Sequence, residues 1–177
     1  LDIDHGTFPY VTSSNCSTLG IHSGTGLPGK YIGEVVGIMK AYSTRVGAGP
    51  FPSEDLGKIG EKIRDRGNEY GTTTGRPRRC GWIDLVAVKY SAMICGVTSI
   101  ACMLLDVLSG FDEIKLCTAY ELEDGTISTR FIPDARRLAK ATPIYESVSG
   151  WEEEIDDVTS PDALPENAKA YLEKISN

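Results

Sequence analysis

The chain has 177 residues, of which 41% are hydrophobic and 24% charged, a composition that excludes a disordered or fibrous protein and allows one domain with a buried core. Its formal net charge of −7 argues against general nucleic-acid binding, and no apolar stretch is long enough to cross a bilayer. The five cysteines are widely spaced without a C-x-x-C pair, which is typical of reduced thiols in the cytoplasm rather than of disulfides or a zinc site.

The first part of the chain is predicted to contain a strand, a loop and a helix. Residues 8–11 form the strand, and residues 12–15 follow it in a loop, where their hydroxyl and amide side chains either bind a ligand or satisfy their own backbone in a turn. The glycine-rich residues 20–29 lack the Lys-Ser/Thr ending of a phosphate-binding loop and are predicted to form a surface loop. Residues 31–41 are predicted to form a core-facing helix, because four apolar side chains recur at helical spacing: Ile32, Val35, Val36 and Met39.

The middle of the chain is predicted to alternate between helix and strand. Residues 43–52 contain two glycines and two prolines and form a break. An amphipathic helix follows and ends near Gly67, with three apolar side chains on one face: Leu56, Ile59 and Ile63. Residues 85–94 are predicted to be helical, and residues 100–105 to form a buried strand with Asp106 at its carboxyl end.

The last third of the chain is predicted to add a β-hairpin, a strand and a helix. Residues 113–121 and 126–132 flank a turn at Glu-Asp-Gly and form the hairpin, and residues 143–148 form the strand. The last helix begins at Pro165, and four of its side chains are expected to face inward: Ala168, Tyr171, Leu172 and Ile175. Together the elements predict the α/β fold class.

The strongest candidate for a binding site is the segment 72–79, which reads Thr-Thr-Thr-Gly-Arg-Pro-Arg-Arg. Arginine presents a planar fork of donors that suits carboxylate and phosphate groups, and threonine hydroxyls add further contacts. Pro77 stiffens the loop, Gly75 allows backbone angles that other residues rarely adopt, and the apolar residues 82–88 anchor the loop to a core. The pattern predicts a loop that captures a small anionic ligand; residues 72–78 are called the arginine loop below.

Other interpretations of these residues remain open at this point. A basic run is also typical of a solvated surface or of a nucleic-acid patch, which would bind with steep salt dependence. Asp106 at a strand end is either a ligand contact or the cap of the next turn. Arg45 is either an anion contact or a cation at a helix C-terminus. His5 is interpreted as a structural hydrogen-bonding residue rather than a catalytic base.

Three motifs follow one another along the chain: DHGTFPYVTSSN at 4–15, KAYSTRVGAGPFP at 40–52 and TTGRPRRCGW at 73–82. In this order they closely resemble the C-terminal part of the adenylosuccinate synthetase family, and the similarity continues through residues 105–108 and 143–146. The resemblance implies a mixed-sheet, P-loop-like, GTP-dependent ligase fold with helices and a β-hairpin. Residues 1–177 would form a single domain of the C-terminal portion.

The activity that the resemblance implies is the condensation of IMP with L-aspartate to adenylosuccinate, driven by GTP with Mg²⁺. In that family the purine 6-oxygen is first phosphorylated, and the aspartate amine then displaces phosphate from 6-phosphoryl-IMP. A charged intermediate of this kind needs cations and hydrogen-bond donors beside a dicarboxylate, and the arginine loop supplies both. The family is typically a cytoplasmic homodimer, with neither nucleic acid nor a membrane as a partner.

The resemblance also implies roles for individual residues. The arginine loop would recognise aspartate through Thr72, Thr73, Thr74, Gly75, Arg76, Pro77 and Arg78. Thr12 and Val46 would bind IMP together with Arg76, and Arg78 would also reach the GTP phosphates. Asp106 would accept hydrogen bonds from guanine, with Leu104 and Leu105 beside it. No catalytic residue and no metal ligand is assigned within the chain.

Two departures from the family pattern bear on function. The family usually has Thr-Lys-Leu before the guanine-binding aspartate, whereas this chain has Met-Leu-Leu, with Leu104 in place of the lysine. The preference for GTP over ATP is therefore open. The phosphate loop, the catalytic aspartate and the catalytic histidine of the N-terminal half are absent from these 177 residues, so this portion is expected to be inactive alone. The alternative functions are a stand-alone nucleotide- or dicarboxylate-binding module and a synthetase with altered purine preference.

Overall fold

The computed structural model describes residues 1–176, and its helices and strands belong to the predicted α/β class. The helices are α1 (Leu19–Thr25), α2 (Lys58–Arg66), α3 (Leu85–Cys95), α4 (Ala135–Leu138) and α5 (Glu166–Ser176). The strands are β1 (Val36–Lys40), β2 (Ser43–Arg45), β3 (Arg79–Gly81), β4 (Ile83–Asp84), β5 (Ser99–Met103), β6 (Glu113–Glu121), β7 (Ile127–Ser128) and β8 (Thr142–Ser149). Short 3₁₀ turns occur at Gly29–Tyr31, Asp106–Leu108 and Pro161–Ala163.

The strands form three separate sheets with both parallel and antiparallel pairs. β6 is the centre of the largest sheet, parallel to β4 and antiparallel to β7 and β8. β1 pairs with β5 in parallel, with Lys40 opposite Met103, and β2 pairs with β3 antiparallel, with Arg45 opposite Arg79. These two registers determine which residues lie side by side where the strands end.

The core lies between the largest sheet and the helices, and aromatic side chains fill much of it. Trp82 and Phe111 pack edge to face, with their ring centroids 5.5 Å apart. This arrangement is favourable because the positive edge of one ring lies against the negative face of the other. Buried aromatic side chains also satisfy their polar atoms, since the Tyr171 hydroxyl donates to the Ala41 carbonyl oxygen at 2.5 Å. The last helix is thereby tied to the residue that follows β1.

Several predicted elements are confirmed by the structure. The amphipathic helix before Gly67, the helix at 85–94, the hairpin of β6 with β7, strand β8 and the last helix are all present. Ala168 and Tyr171 are buried, and Leu172 and Ile175 pack against the same core. All five cysteines are free thiols.

The predicted helix at 31–41 is wrong, because this region contains strand β1. Its side chains alternate in exposure, so the three- and four-residue spacing of its apolar side chains did not reflect a helix face. Five residues pair with β5, and this pairing supplies backbone hydrogen bonds that local sequence cannot reveal. Gly37 allows the close approach of Val97, whose Cγ1 would lie 3.0 Å from an added Cβ.

The two predictions for residues 8–11 and 20–29 are also wrong. Residues 8–11 form a turn in which the Tyr10 amide donates to the Thr7 carbonyl oxygen at 2.8 Å, and Pro9 has no amide to donate to a strand ladder. Residues 19–25 form helix α1, which ends where Gly26 adopts a left-handed conformation with φ of 74°. The glycine that suggested a loop is therefore the residue that terminates a helix.

Three smaller differences concern extent and burial. The predicted break at 43–52 begins with strand β2, and the second strand of the hairpin is only Ile127–Ser128. The strand predicted at 100–105 exists as β5, but it is not a buried strand, because Ile100 is 43% and Met103 51% exposed. Leu56 precedes α2 and is 87% exposed, so it does not belong to the apolar helix face.

No helix among residues 1–176 has both the length and the apolar character needed to span a membrane.

A steric test of the fold is offered by Gly150, which follows β8. An added Cβ would lie 1.6 Å from the Phe111 carbonyl oxygen, a rigid backbone atom. We expect Gly150→Ala to lower the free energy of unfolding by about 1–3 kcal/mol or more, measured by urea denaturation. Gly24→Ala is the matched control, because no atom lies within 4 Å of its added Cβ and the site is helical. That control should stabilise the chain by roughly 0.5–1 kcal/mol; equal effects of the two changes would contradict the packing described.

Candidate functional site

The arginine loop is a compact turn that presents its side chains to solvent. Two backbone hydrogen bonds close it, from the Gly75 amide to the Gly71 carbonyl at 2.7 Å and from the Gly71 amide to the Arg76 carbonyl at 2.9 Å. Gly75 has φ of 63°, a conformation that favours glycine. The side chains of residues 72–77 are exposed, and within residues 1–176 the Arg76 guanidinium makes no hydrogen bond. The loop therefore offers hydroxyls and one uncommitted guanidinium.

Arg78, at the end of the loop, is anchored to a buried carboxylate. Glu69 has a side chain that is only 1% exposed, and it accepts a hydrogen bond from Arg78 at 2.5 Å. The other donors to this carboxylate are Lys40 Nζ at 2.5 Å and the Tyr42 hydroxyl at 2.6 Å. The Arg78 amide also donates to the Glu69 carbonyl oxygen at 2.9 Å, so backbone and side chain fix the two residues together.

The surroundings of Glu69 keep it ionised. Burial raises its pKa, but hydrogen bonds from Lys40, Tyr42 and Arg78 outweigh that effect and hold the pKa below its usual range. The pKa of Tyr42 is raised by burial and by its hydrogen bond to Glu69, so the phenol stays protonated and donates. Glu69, Lys40, Tyr42 and Arg78 thus form a charged cluster, called the Glu69 cluster below.

Thr12 and Val46 line one depression of about 540 Å³. The β2–β3 register places Val46 one residue beyond the Arg45–Arg79 pair, and Arg78 is its counterpart on the opposite strand. Arg45 connects two segments that line the depression, because its guanidinium donates to the carbonyl oxygens of Tyr10 at 3.2 Å and Ala48 at 3.1 Å. The predicted IMP-binding pair therefore lies together, at the same end of β2 and β3 as the arginine loop.

The Asp106 turn is connected to the Glu69 cluster through strands β1 and β5. Lys40 is paired with Met103 at the ends of β1 and β5, and the Ala41 amide donates to the Met103 carbonyl oxygen at 2.9 Å. The chain then turns at Leu104, where φ is 60°, and Asp106 begins a 3₁₀ turn. The Asp106 charge is near enough to contribute to the raised pKa of Tyr42. Leu104 is exposed and Leu105 and Asp106 are half-buried.

Three alternatives left open by the sequence can now be compared with the structure. The cap of the Asp106–Leu108 turn is Leu105, so Asp106 does not have the capping role. Arg45 ends strand β2 and not a helix, which removes the helix C-terminus interpretation. His5 Nδ1 lies 2.8 Å from Asp2 Oδ1, a buried carboxylate, as a structural hydrogen-bonding residue would.

The sequence analysis did not identify the Glu69 cluster. Lys40 and Tyr42 lay in and beside the segment assigned to a helix, and Glu69 is a single carboxylate with no motif spacing. One weak signal existed, since Glu69 comes directly before a cationic loop in which an ionised partner is expected. In the part of the chain that the structure describes, no group of three or more histidines, cysteines, aspartates or glutamates is arranged to hold a metal ion.

The ionised state of Glu69 makes stability depend on pH in a defined direction. Because its folded pKa lies below the unfolded value of about 4.3, its contribution is present above that pH and is lost as the pH falls through the folded pKa. We expect Glu69→Gln to be less stable than wild type at pH 7, with the gap narrowing below about pH 4, as measured by urea denaturation. Glu123→Gln, which breaks an exposed pair with Lys140, is the control and should show little pH-dependent gap. A gap of constant size for Glu69→Gln would contradict the assignment.

Comparison with known proteins places this geometry in a family. A family model described as adenylosuccinate synthetase matches residues 1–177. The chain is 54% identical to the adenylosuccinate synthetase of Alkaliphilus metalliredigens over 177 residues, which are 100% of this chain and 41% of that protein. It is also 54% identical to that of Clostridioides difficile over 175 residues, which are 99% of this chain and 41% of that protein.

A solved structure gives the same result in three dimensions. The fully ligated adenylosuccinate synthetase from Plasmodium falciparum matches with a TM-score of 0.95 and 44% sequence identity, covering 99% of this chain and 42% of that one. The chain thus spans about two fifths of the length of these relatives. With a match along its whole length, the chain belongs to the adenylosuccinate synthetase family.

Proposed function

We propose that this chain is the C-terminal portion of a GTP-dependent ligase that condenses IMP with L-aspartate to adenylosuccinate, the first committed step from IMP to AMP. The observation that carries the proposal is the Glu69 cluster in a member of this family, because it joins Arg78 at the end of the arginine loop to Lys40, which is paired with the strand that leads to Asp106. Ligands with several negative charges are suited to such a site, because guanidiniums and hydroxyls stabilise carboxylates and phosphates.

L-aspartate is proposed to bind the arginine loop. Its two carboxylates can each pair with a cation, and Arg76 and Arg78 are the two cations of the loop. Arg76 is exposed and uncommitted within the described residues, whereas Arg78 is held by Glu69. Thr72, Thr73 and Thr74 supply hydroxyls around them, and Gly75 and Pro77 shape the turn. Closure of the loop over the ligand would bring the aspartate amine to the activated purine.

IMP is proposed to occupy the Thr12–Val46 depression. The Thr12 hydroxyl is exposed and suits a phosphate oxygen, while Val46 is an exposed apolar side chain that can cover the nucleoside. Arg76 would contact IMP as well as aspartate, and so place the amine beside the 6-phosphoryl group. The family chemistry proceeds by phosphorylation of the purine oxygen and displacement of phosphate by that amine.

GTP is proposed to be recognised at the Asp106 turn. A carboxylate can accept from the N1 and N2 hydrogens of guanine together, and adenine does not offer that pair of donors. Leu104 and Leu105 stand beside it, and Leu104 is exposed enough to pack on the base. Because Leu104 replaces the family lysine, a synthetase with altered purine preference is the alternative. Arg78 would reach the phosphates.

The remaining parts of the catalytic centre are proposed to lie outside these 177 residues. The family resemblance assigns the phosphate loop, the Mg²⁺ ligand and the catalytic acid and base to the N-terminal half. We therefore infer that this chain alone does not turn over substrate, and that the whole enzyme works in the cytoplasm as a homodimer. The five free thiols support a reducing compartment.

The direct experiment is to express the complete reading frame that encodes this chain and to assay adenylosuccinate formation from IMP, L-aspartate and GTP with Mg²⁺. The expected result is turnover that requires all three substrates, with no turnover by residues 1–177 alone. A full-length polypeptide that binds aspartate or nucleotide without turnover would favour the binding-module alternative. Affinity for nucleic acid that falls steeply with salt and ignores aspartate would instead favour the nucleic-acid interpretation.

The first variant of the full-length enzyme is Arg76→Leu. We expect its use of L-aspartate, measured as kcat/KM, to fall by orders of magnitude, since a charged bidentate contact is worth roughly 2–5 kcal/mol when its partner is left buried. Arg130→Leu is the matched control, because Arg130 is also exposed but lies beyond the hairpin strand β7. Unchanged kinetics in Arg76→Leu would remove the arginine loop from the mechanism.

The second variant is Asp106→Asn, which replaces one acceptor oxygen by a donor. We expect the preference for GTP over ITP to shrink, because ITP lacks the N2 amino group that the carboxylate would bind. The measurement is the ratio of kcat/KM for the two nucleotides. Asp112→Asn, an exposed aspartate before β6, is the control. An unaltered ratio in Asp106→Asn would count against its role in reading the base.

A further inference from the structure

We infer that Glu69 is a positioning residue for ligand binding, acting through Arg78. It is not expected to touch a substrate, since its side chain is buried and its carboxylate already receives three donors. Its task is to fix the guanidinium that meets anionic ligands at the base of the arginine loop. This inference rests on the proposed function and extends it to a residue outside the loop.

The geometry leaves part of the Arg78 guanidinium available. A guanidinium has five donor hydrogens on three nitrogens. One of its terminal nitrogens, Nη1, donates to Glu69 Oε2, and within residues 1–176 the other two make no hydrogen bond. The side chain is 32% exposed, so those donors can be reached from the solvent side. Arg78 is thus held on one edge and open on another.

The charges of the cluster support the same role. One carboxylate faces two cations, Lys40 and Arg78, and a neutral hydroxyl from Tyr42. The cluster therefore keeps one net positive charge, which is available to an anionic ligand. A device that served stability alone would need only one cation for the carboxylate, because a matched buried pair already satisfies both charges.

Through Lys40 and Arg78, Glu69 connects the two proposed ligand sites, the Asp106 turn and the arginine loop. Lys40 ends β1 beside Met103, from which the chain continues to Asp106, and Arg78 precedes β3 opposite Val46. Glu69 bonds to both cations and so fixes the distance between the two strand pairs. Preorganisation of this kind matters for binding, since a displacement of about 1 Å can cost 100-fold in rate.

The test uses the full-length enzyme with Glu69→Gln, which keeps the shape of the side chain and removes its charge. We expect KM for L-aspartate and for GTP to rise roughly 10- to 100-fold, while KM for IMP stays within about twofold. Glu69→Asp, which keeps the charge on a shorter side chain, should recover part of the loss. Asp84→Asn is the matched control: this buried carboxylate caps α3 and accepts from Tyr120, so it should lower the melting temperature and leave all three KM values unchanged.

A double-mutant cycle separates positioning from structural support. If Glu69 acts through Arg78, adding Glu69→Gln to Arg78→Met should change KM for L-aspartate by less than about threefold, because the positioned group is already absent. An undiminished effect in that background would overturn the inference, as would a lower melting temperature with unchanged KM values. Failure of both Glu69 variants to fold would assign Glu69 to structure and also overturn it.

The outcome for wild type distinguishes this inference from the proposed function. If the full-length enzyme makes adenylosuccinate but Glu69→Gln retains its KM values, only the positioning role fails. If wild type makes none, the proposed function fails and this inference fails with it.

Discussion

Burial of one carboxylate organises the part of the chain that carries the arginine loop. An ionised group with 1% exposure is costly unless it is paired and hydrogen-bonded, and Glu69 meets that requirement only by recruiting Lys40, Tyr42 and Arg78. These donors come from β1, from the segment after it and from the end of the arginine loop. Hydrogen bonds to a buried charge, rather than apolar packing, therefore connect the end of the arginine loop to β1.

The two arginines of the loop are held differently. Arg78 is held by Glu69, whereas the side chain of Arg76 is exposed on a turn that Gly75 shapes. A fixed cation can define the position of a phosphate or carboxylate with little loss of side-chain entropy, and a mobile one can follow a ligand during closure.

The sequence predicted the elements that depend on a local residue pattern, but not those that depend on pairing between residues far apart in the chain. Helices α2 and α5 were predictable because apolar side chains at helical spacing pack against the core, and the arginine loop because its chemistry is contiguous. Strand β1 was assigned to a helix because its ladder comes from β5, more than 60 residues away. The Glu69 cluster was invisible for the same reason: Lys40 and Glu69 are 29 positions apart, and only the folded chain brings them to 2.5 Å.

The hydrogen bond from Tyr171 to the carbonyl oxygen of Ala41 also connects α5, through Ala41, to residues outside the apolar core. Ala41 lies between Lys40 and Tyr42, which both donate to Glu69, so α5 is hydrogen-bonded to the segment that carries two members of the Glu69 cluster. Loosening of α5 would therefore be transmitted to the Glu69 cluster through one backbone carbonyl. The position of a charged group is in this way coupled to a helix residue 130 positions beyond Ala41 in the chain.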